Sequence, residues 1–191
     1  SFTFDVSVSE MFATLLKGGE LHILSDECRY DPTLLSAYLI EQSIHCVYLP
    51  PAILAVLPRL EYPQLKTIIF AGEPCDQKTG EYWLSKCKLY NYYGPTEATI
   101  YATGKLVEKR NVNEIGKPIP NTQAYILDNK LNPVPVGTIG ELYLGGRGIA
   151  RGYLNRPELN LERFIPNPFN ESNREDHSSR LYNTGDLVRW L

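Results

Sequence analysis

The chain has 191 residues, 43% of them apolar, and a net charge of −3 from 19 basic and 22 acidic side chains, the composition of a globular protein with one sizeable core or two small ones. Lys and Arg are scattered, which excludes the electrostatic footprint of a nucleic-acid or anionic-membrane binder. No apolar run approaches the about 20 residues that cross a bilayer, and the opening SFTFDVSVSE lacks a basic region followed by an apolar one, so a soluble cytoplasmic protein is expected.

In chain order, LHIL (21–24) reads as a strand, followed by a helix opened by Asp31-Pro32 with apolar Leu34, Leu35, Tyr38 and Leu39. CVYL (46–49) is the next strand, with a short helix after Pro50-Pro51. LKTIIFAG (65–72), a helix over 76–86 and KLYNYYG (88–94) complete the pattern. Short apolar strands alternating with helices predict an α/β fold with a mainly parallel sheet covered by helices on both faces. After residue 103 the character changes. AYILD (124–128) and GELYLGG (140–146) are strands joined by Asn, Pro and Gly turns, which predicts a smaller β-rich part, barrel-like or a β-meander. The organisation expected is therefore an α/β subdomain over 1–103 and a β-rich subdomain over 104–191. NESNREDHSSR (170–180) has no apolar periodicity and reads as a surface loop, and no internal repeat is visible.

Cys28, Cys46, Cys75 and Cys87 are too far apart for a CxxC pair, and His22, His45 and His177 stand alone, so no zinc site is expected. Cys46, inside HCVYLPP, and Cys87 read as small core residues.

Ligands collect in open α/β sheets where strands end and helices begin, because backbone N–H groups point there. Two such junctions stand out, FAGEPCD (70–76) and NYYGPTEAT (91–99). In the second, Gly94-Pro95 forces a turn, and Thr96 and Glu97 follow beside a helix start. A hydroxyl for phosphate, a carboxylate for Mg²⁺ and tyrosines for a base make a nucleotide site one reading; a tight turn with a capping Thr is the other. GGRGIARG (145–152) superficially resembles a dinucleotide fingerprint. Its spacing is GxGxxxG and Pro157 follows closely, so Gly146, Gly148 and Gly152 read as turn formers and Arg151 as a loop anchor.

NYYGPTE resembles the NxYGPTE segment of the amino-acid adenylation domains of nonribosomal peptide synthetases, in the adenylate-forming superfamily. FDVSVSEMFATLLKGG (4–19), GELYLGGRGIARGYLNRPE (140–158) and YNTGDLVRWL (182–191) resemble three further segments of that family in the right order. The resemblance implies part of the large N-terminal domain of an adenylate-forming enzyme, with the C-terminal lid domain absent. It implies activation of an α-amino acid with ATP to aminoacyl-AMP and pyrophosphate, assisted by Mg²⁺. The acyl group would pass to phosphopantetheine on a peptidyl carrier domain, beside a condensation domain.

Carried over residue by residue, the resemblance implies that Tyr93 stacks on adenine, bordered by Asn91 and the Tyr92 backbone, with Gly72 and Glu73 on the nucleotide side. Thr96 and Glu97 would face the phosphates, with Glu97 the metal ligand and both catalytic, and Asp186 would accept from the ribose hydroxyls. Without the resemblance, Asp186 reads as a turn residue after Gly185. Asp5 would pair with the substrate ammonium; read alone, it is a helix N-terminal residue. The side-chain pocket would be Val6, Ser9, Tyr48, Ile69, Ala71, Tyr92, Ile100 and Tyr101. None is charged, so a neutral, mainly apolar amino acid is expected.

The sequence carries no STGxPKG-type loop and no C-terminal lysine of the family, so the chain alone is expected to have little adenylation activity. Two alternatives remain: an acyl- or aryl-CoA ligase of the same superfamily, and a non-catalytic binding module.

Overall fold

The computed structural model describes residues 3–108, 111–170 and 179–191. The surface loop expected at 170–180 lies, over 171–178, outside the described residues. The chain divides into two compact units, Ser1–Tyr93 with Gly104–Lys117, and Gly94–Thr103 with Pro118–Leu191.

In chain order the first helices and strands are α1 (Val6–Leu15), α2 (Asp26–Tyr30), α3 (Pro32–Glu41), β1 (Cys46–Tyr48), α4 (Pro51–Val56), β2 (Thr67–Ala71), α5 (Gln77–Leu84) and β3 (Lys88–Tyr93). With β4 (Thr103–Leu106) and β5 (Lys117–Pro118) the strands form a five-stranded sheet in the order β1-β2-β3-β4-β5, of which β1, β2 and β3 are parallel. The predicted α3 forms as its sequence dictates. The Asp31 carboxylate accepts from the Thr33 and Leu34 N–H groups at 2.7 and 3.2 Å, and Pro32 occupies the first turn, where its missing N–H costs nothing. Trp83 of α5 is buried and its indole N–H donates to the Leu54 carbonyl of α4 at 3.1 Å, so the two helices are pinned by a hydrogen bond inside the core.

Residues 21–24 do not form the expected strand. Among the described residues no strand offers them a ladder: Ile23 is exposed, the His22 ring shares a hydrogen bond with the Tyr38 hydroxyl at 3.1 Å, and Ser25 immediately caps α2 through the Cys28 N–H. Cys46 is exposed rather than buried, and Cys87 is half-buried; the buried cysteines are Cys28 and Cys75. Register explains Cys46, which opens edge strand β1 in a row with Thr67 and Lys88, a row that ends in a solvated lysine. The two faces of the sheet are not buried alike. Ile68, Phe70 and Leu89 are fully buried on one face, while on the other Ala71 is buried and Thr67, Ile69, Tyr90 and Tyr92 are half-buried.

The second unit holds β6 (Thr122–Leu127), β7 (Gly140–Gly146), α6 (Pro157–Arg163), β8 (Phe164–Pro166) and β9 (Arg180–Val188), with an antiparallel sheet in the order β6-β7-β9-β8. The expected barrel does not form. Closure would require β6 to pair with β8, and three-residue β8 instead ends the sheet as an edge. The two expected strands form as β6 and β7 and pair antiparallel. The turn after β6 is organised by Asp128, whose carboxylate accepts from the Lys130 and Asn132 N–H groups. No helix of the described residues is long and apolar enough to cross a membrane.

Candidate functional site

In the first unit, parallel register pairs Tyr48 with Ile69, Ile69 with Tyr90, and Ala71 with Tyr92. Side chains alternate along a strand, so Tyr48, Ile69, Ala71 and Tyr92 share one face of the sheet and Asn91 lies on the other with Phe70. The Tyr48 hydroxyl donates to the Ala71 carbonyl at 3.5 Å, and the Tyr90 and Tyr92 rings stack at 6.3 Å. Gly104 makes room for this wall: a Cβ there would stand 2.5 Å from the Tyr92 ring. At these four positions the face is uncharged and half aromatic, with Ala71 buried and Tyr48, Ile69 and Tyr92 half-buried.

Val6 is buried in the first turn of α1, and the Ser9 hydroxyl donates back to the Val6 carbonyl at 3.0 Å. Asp5 stands at the N-cap position, half-buried, but its backbone is already helical and its carboxylate takes no capping hydrogen bond. An aspartate at a helix start ordinarily spends its carboxylate on the first N–H groups. Asp5 does not.

Gly72 ends β2 with φ +89°, a conformation that favours glycine. Beside it the Glu73 carboxylate accepts from the Ala52 N–H at 3.0 Å, serving the start of α4, where Pro50 has no side chain able to cap. The Asn91 amide donates to the Val112 and Glu114 carbonyls, and Asn113 returns both amide groups to the Cys75 backbone. These contacts bind the 111–114 segment to strand β3 and to the 70–76 loop.

In the second unit Thr96 and Glu97 lie on a single 3-10 turn, Thr96–Ala98, and the helix start expected after Pro95 is no more than that turn. Thr99 at φ +60° and Ile100 at φ +71° follow, and the Tyr101 N–H donates to the Thr99 carbonyl. Two consecutive β-branched residues in the left-handed region store strain. The loop folds back so tightly that a Cβ on Gly94 would stand 2.6 Å from the Ile100 carbonyl oxygen. Thr96 is exposed and Glu97 half-buried.

A second loop holds this turn in place. The Ala150 N–H donates to the Glu97 carbonyl at 2.8 Å, the Thr99 hydroxyl to the Gly148 carbonyl at 2.6 Å, and the Tyr153 hydroxyl to Glu97 Oε1 at 2.5 Å. The glycines of GGRGIARG thus allow close backbone approach: a Cβ on Gly148 would stand 2.9 Å from the Ala98 carbonyl oxygen. Arg180, rather than the Arg151 side chain, ties the loop down, its guanidinium donating to the Ala150 and Arg151 carbonyls. Asn160 of α6 accepts from the Tyr153 N–H at 2.6 Å and donates to its carbonyl at 3.0 Å. The Tyr153 and Tyr182 hydroxyls are 3.2 Å apart. Burial, then the Glu97 carboxylate, holds the Tyr153 phenol far above its ordinary range, and burial raises Tyr182 as well. Sequence reading missed Tyr153, Tyr182, Asn160 and Arg180: Tyr153, Tyr182 and Arg180 act through partners 29 or more residues away, and Asn160 acts only through Tyr153.

Asp186 sits on a β-bulge. Glu141 and Tyr143 of β7, two apart, face Leu187 and Asn183 of β9, four apart, so Thr184, Gly185 and Asp186 swing out of the ladder. The Thr184 hydroxyl donates to the Leu142 carbonyl and accepts from the Asp186 N–H, and Gly185 takes φ +79°.

The profile of the family described as AMP-binding enzyme matches residues 1–154. The chain belongs to the AMP-binding enzyme family. Within it the relatives are adenylation modules of nonribosomal peptide synthetases. A linear gramicidin synthase protein of Brevibacillus parabrevis is 46% identical across all of this chain, and bacitracin synthase 3 of Bacillus licheniformis is 41% identical across all of it. The chain spans 2% and 3% of those two proteins, and 17% of the 40% identical tyrocidine synthase 1 of Brevibacillus parabrevis. Among solved structures, a four-domain nonribosomal peptide synthetase bound to AMP and glycine matches this AMP-binding segment with TM-score 0.89 and 34% identity. That match covers 100% of this chain and 14% of the synthetase.

Proposed function

We propose that this chain serves an enzyme that activates a neutral, mainly apolar α-amino acid. The substrate carboxylate oxygen forms a bond to the α-phosphorus of ATP, the bond to the bridging oxygen breaks, and pyrophosphate leaves, giving aminoacyl-AMP. The observation that carries this reading is the uncharged sheet face of Tyr48, Ile69, Ala71 and Tyr92, in a unit whose Asp5 carboxylate is not spent on capping. A carboxylate held for an ammonium suits an α-amino acid and gives no advantage to an aryl or fatty acid, which favours an adenylation domain over a CoA ligase. The family resemblance adds Val6 and Ser9, and Ile100 and Tyr101 of the second unit, as residues toward the amino-acid side chain. Tyr93 stacks on adenine beside Asn91 and Tyr92, Gly72 and Glu73 border the nucleotide, and Asp186 on its bulge accepts from the ribose hydroxyls.

Thr96 and Glu97 face the phosphates. The described residues contain no group of three or more His, Cys, Asp or Glu able to cage a metal. A single half-buried carboxylate fits Mg²⁺, which keeps its waters and takes one or two protein carboxylates together with substrate phosphates. When bound, Mg²⁺ supplies charge that offsets the developing phosphate anion. Transfer to carrier-bound phosphopantetheine, a neighbouring condensation domain and a cytoplasmic setting, where ATP is abundant, belong to the same reading.

Amino-acid-dependent ATP–pyrophosphate exchange by the synthetase module that contains this chain tests it. The highest rates are expected with neutral amino acids, and Asp5→Ala is expected to raise the amino-acid KM on the order of a hundredfold. Preference for Asp, Glu, Lys or Arg, or for an aryl or fatty acid, overturns the reading. The 191-residue chain alone is expected to give no more than trace exchange, because its sequence lacks the phosphate loop and lysine that stabilise the developing anion.

A further inference from the structure

We infer that Tyr153 is a positioning residue for Glu97: its hydroxyl, donating to Oε1, fixes the direction in which that carboxylate meets metal and phosphate. The inference rests on the reading of Glu97 given above. A glutamate has three rotatable bonds; on this short 3-10 turn its carboxylate is held by the Tyr153 hydroxyl, with that of Tyr182 beside it. Freezing them before the ligand arrives removes an ordering cost from binding.

Three elements converge on this one O–H. Asn160 of α6 grips the Tyr153 backbone in both directions, Phe164 of β8 meets its ring edge-on at 5.4 Å, and Tyr182 of β9 brings a second hydroxyl to 3.2 Å. Closing the loop does not require this, since the Ala150 and Thr99 hydrogen bonds already join it to the turn. The donor is also neutral. A lysine or arginine in its place would neutralise the carboxylate, whereas a phenol occupies one lone pair and leaves the negative charge to attract a hard cation.

The experiment compares wild type, Tyr153→Phe, Tyr182→Phe and Glu97→Gln in the synthetase module, by pyrophosphate exchange against Mg²⁺ concentration and by calorimetric binding of Mn²⁺ with a non-hydrolysable ATP analogue. Tyr153→Phe is expected to raise the Mg²⁺ needed for half-maximal rate, and to weaken Mn²⁺ binding, each by about tenfold. The thermal midpoint and the amino-acid KM should stay at wild-type values. Tyr182→Phe should shift the metal requirement by about two- to threefold, because the Tyr153 donor remains. An unchanged metal requirement in Tyr153→Phe overturns the inference, as does equal loss at every Mg²⁺ concentration with a fallen midpoint. If Tyr153→Phe lowers the midpoint while shifting the metal requirement, Tyr182→Phe decides: a shift at unchanged midpoint supports the role and no shift overturns it. Glu97→Gln separates the two levels. If it leaves the metal dependence untouched, the reading of Glu97 falls; if it shifts that dependence and Tyr153→Phe does not, only the positioning role falls.

Discussion

Two turns in this chain are built from the same words and do different work. Each follows a parallel strand with a glycine and then an acid, Gly72-Glu73 after β2 and Gly94 to Glu97 after β3. Gly72 has open space around it and is needed only for its positive φ, whereas Gly94 is enclosed by the backbone of its own loop. Glu73 gives its carboxylate to the Ala52 N–H as a helix cap, and Glu97 receives the hydroxyl of Tyr153. One carboxylate accepts from a backbone N–H and the other from a side-chain hydroxyl. The choice lies with a partner 21 residues away in the first case and 56 in the second.

The sharpest way to break the comparison is to add one methyl group to each glycine. Gly94→Ala drives a Cβ into the Ile100 carbonyl and two neighbouring backbone atoms, with an expected loss of about 3 kcal/mol in urea unfolding and a displaced Thr96–Ala98 turn. Gly72→Ala meets no atom and costs only its φ, about 1–2 kcal/mol. Equal losses would show that crowding at Gly94 is relieved by movement of the loop. Next comes the acid: Glu73→Ala uncaps α4 and should cost about 1 kcal/mol. If it costs nothing in unfolding yet weakens nucleotide binding, Glu73 is not the scaffold residue of the pair.

The smallest effect concerns pH. Asp76, at the end of the first of these loops, caps α5, and its hydrogen bond from the Thr79 N–H holds its carboxyl below the ordinary value. Its folded pKa is lower than its unfolded one. The contribution to stability is therefore present at neutral pH and is lost as pH falls from the ordinary aspartate value through the lower folded value. Unfolding of Asp76→Asn, followed from pH 6 to pH 2, should show a slightly shallower acid dependence than wild type. A steeper one would put the sign in error.

What could be read from the sequence follows the range of the interactions. The Asp31-Pro32 start of α3 and the Asp128 turn are made by residues within four of one another, and both form as expected. LHIL has the composition of a strand, but strand formation needs a neighbour, and none among the described residues pairs with residues 21–24. Cys46 departs from its expected burial for a related reason: its apolar neighbours are visible in the sequence, whereas its place on an edge strand depends on the order of the whole sheet. In the candidate site, the face shared by Tyr48, Ile69, Ala71 and Tyr92 follows from strand alternation once the register is known. The contacts of Glu97 with Tyr153, and of Tyr153 with Asn160 and Tyr182, have no local signature at all.

The two surplus residues of β9 interrupt an otherwise continuous ladder, and an interrupted ladder gives up hydrogen bonds that a plain strand would make. Selection for heat tolerance alone would therefore reward variants that delete or flatten Thr184-Gly185-Asp186, and a library screened only by melting temperature would drift toward a sturdier protein without the ribose contact proposed for Asp186.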